Sequence, residues 1–313
     1  MNENGKKIWI TGASSGIGKA LAIKFANNGW QVAASARREN LLQDLSKINS
    51  NISSFPLDVR DEKLTKIAFE NIIEKFKTID VCVFCTGIHD PDAEKRLSSE
   101  KIREIMDTNF FGTLNCITSV NNYFKEKKNG HISIVSSVAG YRGLPAAAGY
   151  CASKAALINL AESLYFDFIR YKVRVSLISP GFIKTPMTDK NKFPMPMRKS
   201  PEFAAEKMFI GLTKKNAFEI HFPVAFTMIM KLLKIMPNWL YFLLLKKGMK
   251  NIKYLSFTNK TVNSATLIPN LVILALLIAT VSSCLNIQSS KVIFISLPLT
   301  GTNKTYSNLN AGP

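Results

Sequence analysis

Short apolar runs and longer amphipathic stretches alternate along the first two thirds of the chain. The apolar runs have the length of buried strands, and the stretches between them repeat apolar residues at helical spacing. The runs predict strands near 6–11, 30–36, 52–57, 79–85, 130–136, 172–179 and 217–221. The stretches predict helices near 16–28, 39–48, 61–76, 98–126, 149–170 and 201–214. Regular alternation of this kind predicts an α/β fold, with a doubly wound parallel sheet covered by helices on both faces.

A glycine-rich turn follows the first predicted strand. Residues 11–18 read Thr-Gly-Ala-Ser-Ser-Gly-Ile-Gly and lead directly into a predicted helix. Glycines let the backbone approach a ligand closely, and the free N–H groups at a helix start attract phosphate. The spacing Gly-x3-Gly-x-Gly differs from the commoner Gly-x-Gly-x-x-Gly, and any tight turn can use glycines. By itself the turn is weak evidence. Together with Ser137, Tyr150 and Lys154 it indicates a dinucleotide site in a Rossmann-type sheet.

Tyr150 and Lys154 lie four residues apart in the sequence Gly-Tyr-Cys-Ala-Ser-Lys, and Ser137 lies 13 residues before the tyrosine. Residues four apart share one face of a helix, so the ammonium is expected to favour the phenolate and lower the pKa of Tyr150. A nearby hydroxyl can hold a carbonyl oxygen beside the phenol. This arrangement predicts acid/base chemistry on an alcohol or ketone, which requires a hydride carrier.

These motifs, in this order, resemble the classical short-chain dehydrogenase/reductase family from about residue 6 to about residue 220. The matching positions are the turn at 11–18, Asp58-Val59, Asn109 within Asp-Thr-Asn-Phe-Phe-Gly, Ser137, Tyr150 with Lys154, and 180–185, Pro-Gly-Phe-Ile-Lys-Thr. One element departs from the family pattern, because its Asn-Asn-Ala-Gly is Phe-Cys-Thr-Gly at 84–87 and keeps only Gly87. Packing or cofactor contact at that turn is therefore expected to differ, without loss of a catalytic group.

The resemblance implies a role for each catalytic residue. Tyr150 gives its proton to the carbonyl oxygen as hydride reaches carbon, and Ser137 hydrogen-bonds that oxygen. Lys154 binds the nicotinamide ribose and lowers the pKa of the tyrosine, and Asn109 holds a helix kink and a water. Ser136 is the rival of Ser137, although the 13-residue spacing favours Ser137. The cofactor-binding positions carried over are Thr11, Gly12, Ser14, Ser15, Gly16, Ile17, Gly18, Arg37, Arg38, Asp58, Val59, Gly87, Tyr150, Lys154, Pro180, Gly181, Ile183 and Thr185.

The end of the second strand indicates which cofactor is bound. A carboxylate there would bind the ribose hydroxyls of NAD, whereas a guanidinium would bind the 2′-phosphate of NADP. The sequence Ala36-Arg37-Arg38 supplies guanidinium groups and no acid. NADP(H) is therefore favoured over NAD(H), with Arg37 as the main contact; two solvated arginines at a helix start are the plain alternative.

The substrate is a carbonyl compound or alcohol. The loop 185–200 carries three prolines and three methionines, which suits an apolar or lipid-like substrate but equally suits packing against the core. A small polar substrate, or a non-catalytic NADP-binding regulatory protein, is the alternative. Family members commonly pair through their two long helices, which implies a homodimer or homotetramer.

Net charge and cysteine content limit the other partners. The charge is +19, and after Glu219 the chain has nine lysines and no acid. The main domain has no nucleic-acid motif, so no nucleic-acid partner is predicted. Five scattered cysteines suit a reducing, cytoplasmic compartment, and no signal peptide is expected from the polar residues that precede the first predicted strand. No metal site is predicted, because Cys82 and Cys85 would face opposite sides of a strand and the three histidines lack ligand spacing.

Three regions are expected along the chain: 1–221 as the catalytic domain, 222–255 as a basic amphipathic helical extension, and 256–313 as a hydrophobic segment with a polar tail. Residues 222–255 carry Trp239, Tyr241 and several lysines, and are expected either to cap the substrate cleft or to lie on an anionic membrane. Residues 261–290 carry no charge and approach the length of a spanning helix. A membrane span, a disordered tail and a fusion remnant all remain open for this last region.

Overall fold

The computed structural model describes residues 5–191 and 195–246, and its strands form one parallel sheet. The strands are β1 (Lys7–Thr11), β2 (Gln31–Ala36), β3 (Ile52–Pro56), β4 (Val81–Phe84), β5 (Gly130–Val135), β6 (Val173–Pro180) and β7 (Glu219–Phe222). Their spatial order is β3-β2-β1-β4-β5-β6-β7, and every neighbouring pair is parallel. All seven predicted strands are confirmed, as is the doubly wound fold class.

The helices follow the strands in alternation. They are α1 (Gly16–Ala26), α2 (Glu39–Ile48), α3 (Glu62–Phe76), α4 (Pro91–Lys95), α5 (Ser99–Met106), α6 (Gly112–Lys127), α7 (Ala148–Ile169), α8 (Pro201–Thr213) and α9 (Val224–Ile235). The helix predicted over 98–126 is present as α5 and α6, which a π-helical turn, Asp107–Phe111, joins at the place where the resemblance implied a kink. Short α4 was not predicted; Asp90 caps its first turn by accepting from the N–H of Ala93 at 3.1 Å.

The core has two parts, one on each face of the sheet. Successive side chains of β1 point to opposite faces, so Ile8 and Ile10 pack with α1, α2 and α8, whereas Trp9 packs with α3, α6 and α7. Trp9 stacks on Phe69 at 5.7 Å between ring centroids and donates its indole N–H to the hydroxyl of Ser35 at 2.9 Å. Cys82 and Cys85 lie on opposite sides of the sheet, as their spacing predicts.

The direction in which successive strands are added to the sheet reverses between β1 and β4. Strands β2 and β3 extend the sheet to one side of β1, and β4 to β7 extend it to the other. The connections after β1 and β4 therefore lead to opposite sides, which opens a crevice at the carboxyl ends of these neighbouring strands. The glycine turn follows β1 at this crevice.

The helices after β7 pack on the segment that follows the fifth strand. Arg142 donates to the carbonyls of Leu233, Lys234 and Met236 at 3.1, 2.9 and 2.7 Å, which satisfies the open end of α9. Its guanidinium lies 4.3 Å from the ring centroid of Tyr241, in the helix that continues over residues 238–246. Within the described residues no helix is long and apolar enough to cross a membrane. The uncharged segment at 261–290 lies outside them.

Candidate active site

A cleft of about 620 Å³ lies at the carboxyl ends of the strands and collects almost every predicted site residue. Ser137, Tyr150, Lys154 and all predicted cofactor positions except Thr11 line it. Thr11 is buried beneath the cleft, where its hydroxyl accepts from the N–H of Cys85 at 3.1 Å. Asn109 is likewise fully buried behind the cleft wall.

The glycine turn leaves its backbone accessible at the start of α1. Gly12 has φ +69°, and a Cβ there would lie 2.9 Å from the carbonyl oxygen of Cys85. Gly16 has φ +55°, and a Cβ there would lie 2.9 Å from the Thr185 side chain. Both positions thus require glycine for conformation and for space. Ser15, the N-cap residue, makes no side-chain capping bond, so first-turn N–H groups of α1 remain open to a ligand. This arrangement fits a pyrophosphate.

Two exposed arginines follow β2 at the edge of the cleft. Arg38 donates to the hydroxyls of Ser14 and Ser15 at 2.8 and 2.9 Å. Arg37 makes no such bond and instead lies near Asp58, where it contributes a small lowering of the carboxyl pKa. The main cause of that lowered pKa is the hydrogen bond from Arg60, which outweighs burial. Arg38, predicted as the secondary contact, is therefore the arginine tied to the glycine turn.

The end of β5 is joined to α7 through Lys154. The hydroxyl of Ser136 donates to the carbonyl of Lys154 at 2.7 Å, and the Lys154 amine donates to the carbonyl of Val135 at 3.0 Å. Gly140 allows this approach, because a Cβ there would lie 2.7 Å from the Lys154 carbonyl. Ser136 is thus buried in a structural bond, whereas Ser137 faces the cleft. This geometry favours Ser137 over its rival.

The side chains of Tyr150 and Ser137 lie next to each other in the wall of the cleft. Burial raises the pKa of Tyr150 to about 12, and a hydrogen bond with Ser137 only partly opposes that rise. The expected lowering of the Tyr150 pKa by Lys154 is wrong for this structure. The Lys154 nitrogen lies 5.7 Å from the phenol ring centroid and is bonded to Val135 instead. Tyr150 consequently holds its proton at neutral pH, which suits a proton donor.

Lys154 is almost fully buried, with 4% of its surface exposed. Burial lowers the pKa of its amine to about 8, against an ordinary value of 10.5, and nearby Cys85 opposes this slightly. Burial away from water disfavours the charged form of a lysine side chain. Its amine can therefore change protonation state close to neutral pH.

Asn109 occupies the π-helical turn between α5 and α6. Its side-chain oxygen accepts from the N–H of Ile88 at 2.7 Å, and its amide donates to the Ile88 carbonyl at 3.0 Å. The same amide donates to the hydroxyl of Ser153 at 3.0 Å. The widened turn, a common feature of functional sites, thus lets one side chain connect α7 to the loop after β4.

His89 and Glu94 lie beside Tyr150, and sequence reasoning missed both. The His89 ring lies 4.7 Å from that of Tyr150, and its Nδ1 is 2.7 Å from a carboxyl oxygen of Glu94. The other oxygen of Glu94 accepts from the backbone N–H of Tyr150 at 3.1 Å. His89 lies in the loop between β4 and α4, whereas the other two histidines lie in β5 and β7. His131 binds Ser176 at 2.8 Å and His221 binds Thr227 at 2.7 Å.

The loop after β6 closes another side of the cleft. Ile183, Thr185, Met187, Thr188 and Lys190 line it. Met197, in contrast, packs against the core, so the methionines of this loop divide between the two roles that were left open. Phe193 lies outside the described residues. Lys190 was not predicted, because nothing in its local sequence distinguishes it from a solvated lysine.

Comparison with known proteins supports the family resemblance that the sequence motifs indicate. A model of the family described as short chain dehydrogenase matches residues 6–194. The chain is 36% identical over 236 residues to an uncharacterized oxidoreductase of Myxococcus xanthus, and the match covers 74% of this chain and 93% of that protein.

Two further similarities concern an enzyme and a solved structure. The chain is 34% identical over 194 residues to the 3-oxoacyl-(acyl-carrier-protein) reductase FabG of Thermotoga maritima, covering 61% of this chain and 79% of that protein. A structure described as ElxO with NADP bound superposes with a TM-score of 0.63 at 26% identity, covering 69% of this chain and 97% of that one.

Substitution of Lys154 by Met should change how stability depends on pH. The folded pKa of about 8 lies below the ordinary 10.5, so between these values the unfolded chain binds more protons and stability rises with pH. From pH 7 to pH 9.5 the wild type should gain about 2 kcal/mol in free energy of unfolding relative to the variant. Urea unfolding of both proteins at the two pH values measures this. If the difference in free energy of unfolding between wild type and variant is the same at both pH values, the lowered pKa of Lys154 is contradicted.

Proposed function

Because the chain belongs to the short-chain dehydrogenase/reductase family of NAD(P)-dependent oxidoreductases, we propose that it interconverts a ketone and a secondary alcohol. The observation that carries this proposal is the pairing of Tyr150 with Ser137 at the wall of the nucleotide-sized cleft. A protonated phenol and a hydroxyl side by side can together hold and protonate one carbonyl oxygen.

NADP(H) is the proposed cofactor. The glycine turn offers backbone N–H groups for the pyrophosphate, and the end of β2 is followed by the two guanidinium groups of Arg37 and Arg38, with no acid at the position that would bind the ribose hydroxyls of NAD. Arg38, held by Ser14 and Ser15, is positioned beside that turn. The similar structure described with NADP bound supports the same choice. When bound, the nicotinamide supplies or accepts the hydride.

The chain's own residues handle the proton. In the reducing direction Tyr150 donates its proton to the carbonyl oxygen, and Ser137 donates a hydrogen bond that positions the same oxygen. Lys154 is the residue that would hold the nicotinamide ribose, and Asn109 keeps the loop after β4 and α7 in register. Aligned proton transfer of this kind contributes about 10²–10⁴ in rate. A purely regulatory NADP-binding protein would have no need of this complete set.

An apolar, acyl-like substrate is proposed over a small polar one. Ile88, Pro186 and Met187 give the cleft apolar wall. The similar protein from Thermotoga maritima is named for reduction of a 3-oxoacyl group, which agrees with that wall.

Pairing of two chains through α6 and α7 is proposed as well. Phe166 and Ile169 of α7 expose 73 and 57% of their surfaces, and Phe111, in the π-helical turn before α6, exposes 49%. Light scattering would give the mass in solution.

The extension after residue 221 is proposed to rest on an anionic membrane. Ile235, Trp239, Phe242 and Leu243 expose 78, 69, 54 and 46% of their surfaces on α9 and on the helix at 238–246. The nine lysines and absence of acids after Glu219 complement an anionic surface. Lys231 is an exception, because it is paired with Glu219 at 2.6 Å. An apolar, aromatic face with cations around it is typical of helices that lie in the membrane interface.

Tyr150→Phe should lower ketone turnover with NADPH by at least about 10², because it removes the proton donor but keeps the ring. The dissociation constant for NADPH should change by less than about threefold, since no phosphate contact is lost. Tyr165→Phe is the matched control: it removes a hydroxyl from the same helix at a site outside the cleft. Steady-state kinetics and NADPH fluorescence titration measure both quantities. Wild-type turnover by Tyr150→Phe would refute the assignment.

Arg37→Ala combined with Arg38→Ala should weaken NADPH binding by about ten- to a hundredfold and NADH binding by less than about threefold. The reason is that only NADPH carries the 2′-phosphate. Lys47→Ala combined with Lys66→Ala removes two surface cations outside the cleft and serves as control. An equal loss for both cofactors would show that the arginines do not read the 2′-phosphate.

Vesicles with anionic headgroups should bind the protein, and vesicles of neutral lipid should bind it far less. Trp9 and Trp30 are buried, so brominated lipids should quench mainly the fluorescence of exposed Trp239. Quenching of Trp239 would place this helix at the acyl boundary.

Replacing Trp239 and Phe242 together by Asp should abolish vesicle binding in a sedimentation assay. Ile48→Asp with Ile67→Asp is the matched control, because these residues are similarly exposed on α2 and α3. Undiminished binding by the first variant would rule out this face as the contact.

A further inference from the structure

His89 is held rigidly at the cleft from two sides. Its neighbour Ile88 is bound through both backbone groups to Asn109, at 2.7 and 3.0 Å. Its own Nδ1 is bound to Glu94 at 2.7 Å, and the side chains of His89 and Glu94 are 10% and 0% exposed. These bonds together hold the His89 ring in one orientation at the end of its loop.

Glu94 links that histidine to the catalytic helix. The residue before α7, Ala147, provides no side-chain cap, and Glu94 supplies the missing acceptor by binding the N–H of Tyr150 at 3.1 Å. A carboxylate near a helix start is also favoured by the helix dipole. The Glu94 oxygens are thus divided, one for the backbone of Tyr150 and one for His89. The imidazole and the phenol are consequently fixed relative to each other, with ring centroids 4.7 Å apart.

The bond to Glu94 determines which nitrogen of His89 faces the cleft. A carboxylate accepts, so Nδ1 carries the proton in that bond, and the second ring nitrogen, Nε2, is left over. Within the part of the chain that the structure describes, Nε2 has no hydrogen-bond partner, and the residue lines the cleft. The neutral ring can accept there from a hydroxyl, and the charged ring can donate there to a carbonyl.

From this geometry we infer that His89 binds a second oxygen of the substrate, next to the carbonyl that Tyr150 protonates. The inference rests on the proposed function and narrows it. The substrate class is a ketone with a hydroxyl or a second carbonyl one or two carbons from the reacting carbon. A plain ketone lacks the group that Nε2 recognises. His89 is therefore a specificity-determining residue, and Glu94 is the residue that positions it.

Two single substitutions separate recognition from structure. His89→Asn places an amide N–H near the position of Nδ1, so it keeps the bond to Glu94 and loses the cleft-facing group. His89→Gln places its amide near the position of Nε2, so it keeps the cleft-facing group and loses the bond to Glu94. The melting temperature should therefore be nearer wild type for His89→Asn, and substrate preference should be nearer wild type for His89→Gln.

The experiment compares three ketones of equal chain length with NADPH: a methyl ketone, its hydroxymethyl counterpart and a 3-oxo ester. The wild type should prefer one of the two oxygenated compounds by about tenfold or more in kcat/KM. His89→Gln should keep that preference within about threefold, and His89→Asn should lose it. The compound that is preferred shows whether a hydroxyl or a carbonyl is recognised.

Several results would overturn the inference. They are a wild type without preference, a preference retained in His89→Asn, and equal loss in both variants. Failure of the proposed function is separate, because it would appear as no turnover of any of the three ketones by the wild type. In that case the shift in melting temperature of the NADPH complex on adding each ketone tests recognition in the same three proteins. No difference between plain and oxygenated compounds would then overturn it.

Discussion

The joint between β5 and α7 is the contact on which the site depends. Lys154 forms it twice, donating through its amine to Val135 and accepting through its carbonyl from Ser136. The strand end carries Ser137 and the helix carries Tyr150, so this joint fixes the distance between the two hydroxyls. Gly140 is part of the same contact, since no side chain larger than hydrogen fits against the Lys154 carbonyl. Ser137 and Tyr150 are thus positioned by bonds that the neighbouring side chains of Ser136 and Lys154 make to the backbone.

Burial sets the chemistry of this pair. The pKa of Tyr150 is raised and that of Lys154 is lowered by the same loss of solvent, so both groups favour their neutral forms. A neutral phenol is ready to donate a proton, which matches carbonyl reduction. The His89 ring packs against the phenol, and Glu94 binds both His89 and the backbone N–H of Tyr150 at the start of α7. Acid strength and orientation therefore have different structural origins.

Much of this architecture follows from local sequence. The alternating apolar runs gave all seven strands, and the spacing of Ser137, Tyr150 and Lys154 placed them at one cleft. The resemblance implied a helix kink at Asn109, but local sequence did not show that the kink is a π-helical turn from which Asn109 reaches the loop at Ile88. The pKa of Tyr150 was misjudged because helical spacing shows neither the burial that raises this pKa nor that the ammonium is bonded to a strand carbonyl. Long-range packing determines both features.

We propose that this cleft transfers a hydride to a carbonyl carbon while the protein supplies the proton. The most direct measurement is reduction of a ketone with NADPH deuterated at the transferring position of the nicotinamide, followed by mass and NMR analysis of the product. We expect one deuterium on the carbinol carbon, and a hydroxyl proton that comes from solvent by way of Tyr150. Alcohol formed without deuterium on that carbon, or consumption of NADPH without any alcohol, would contradict it.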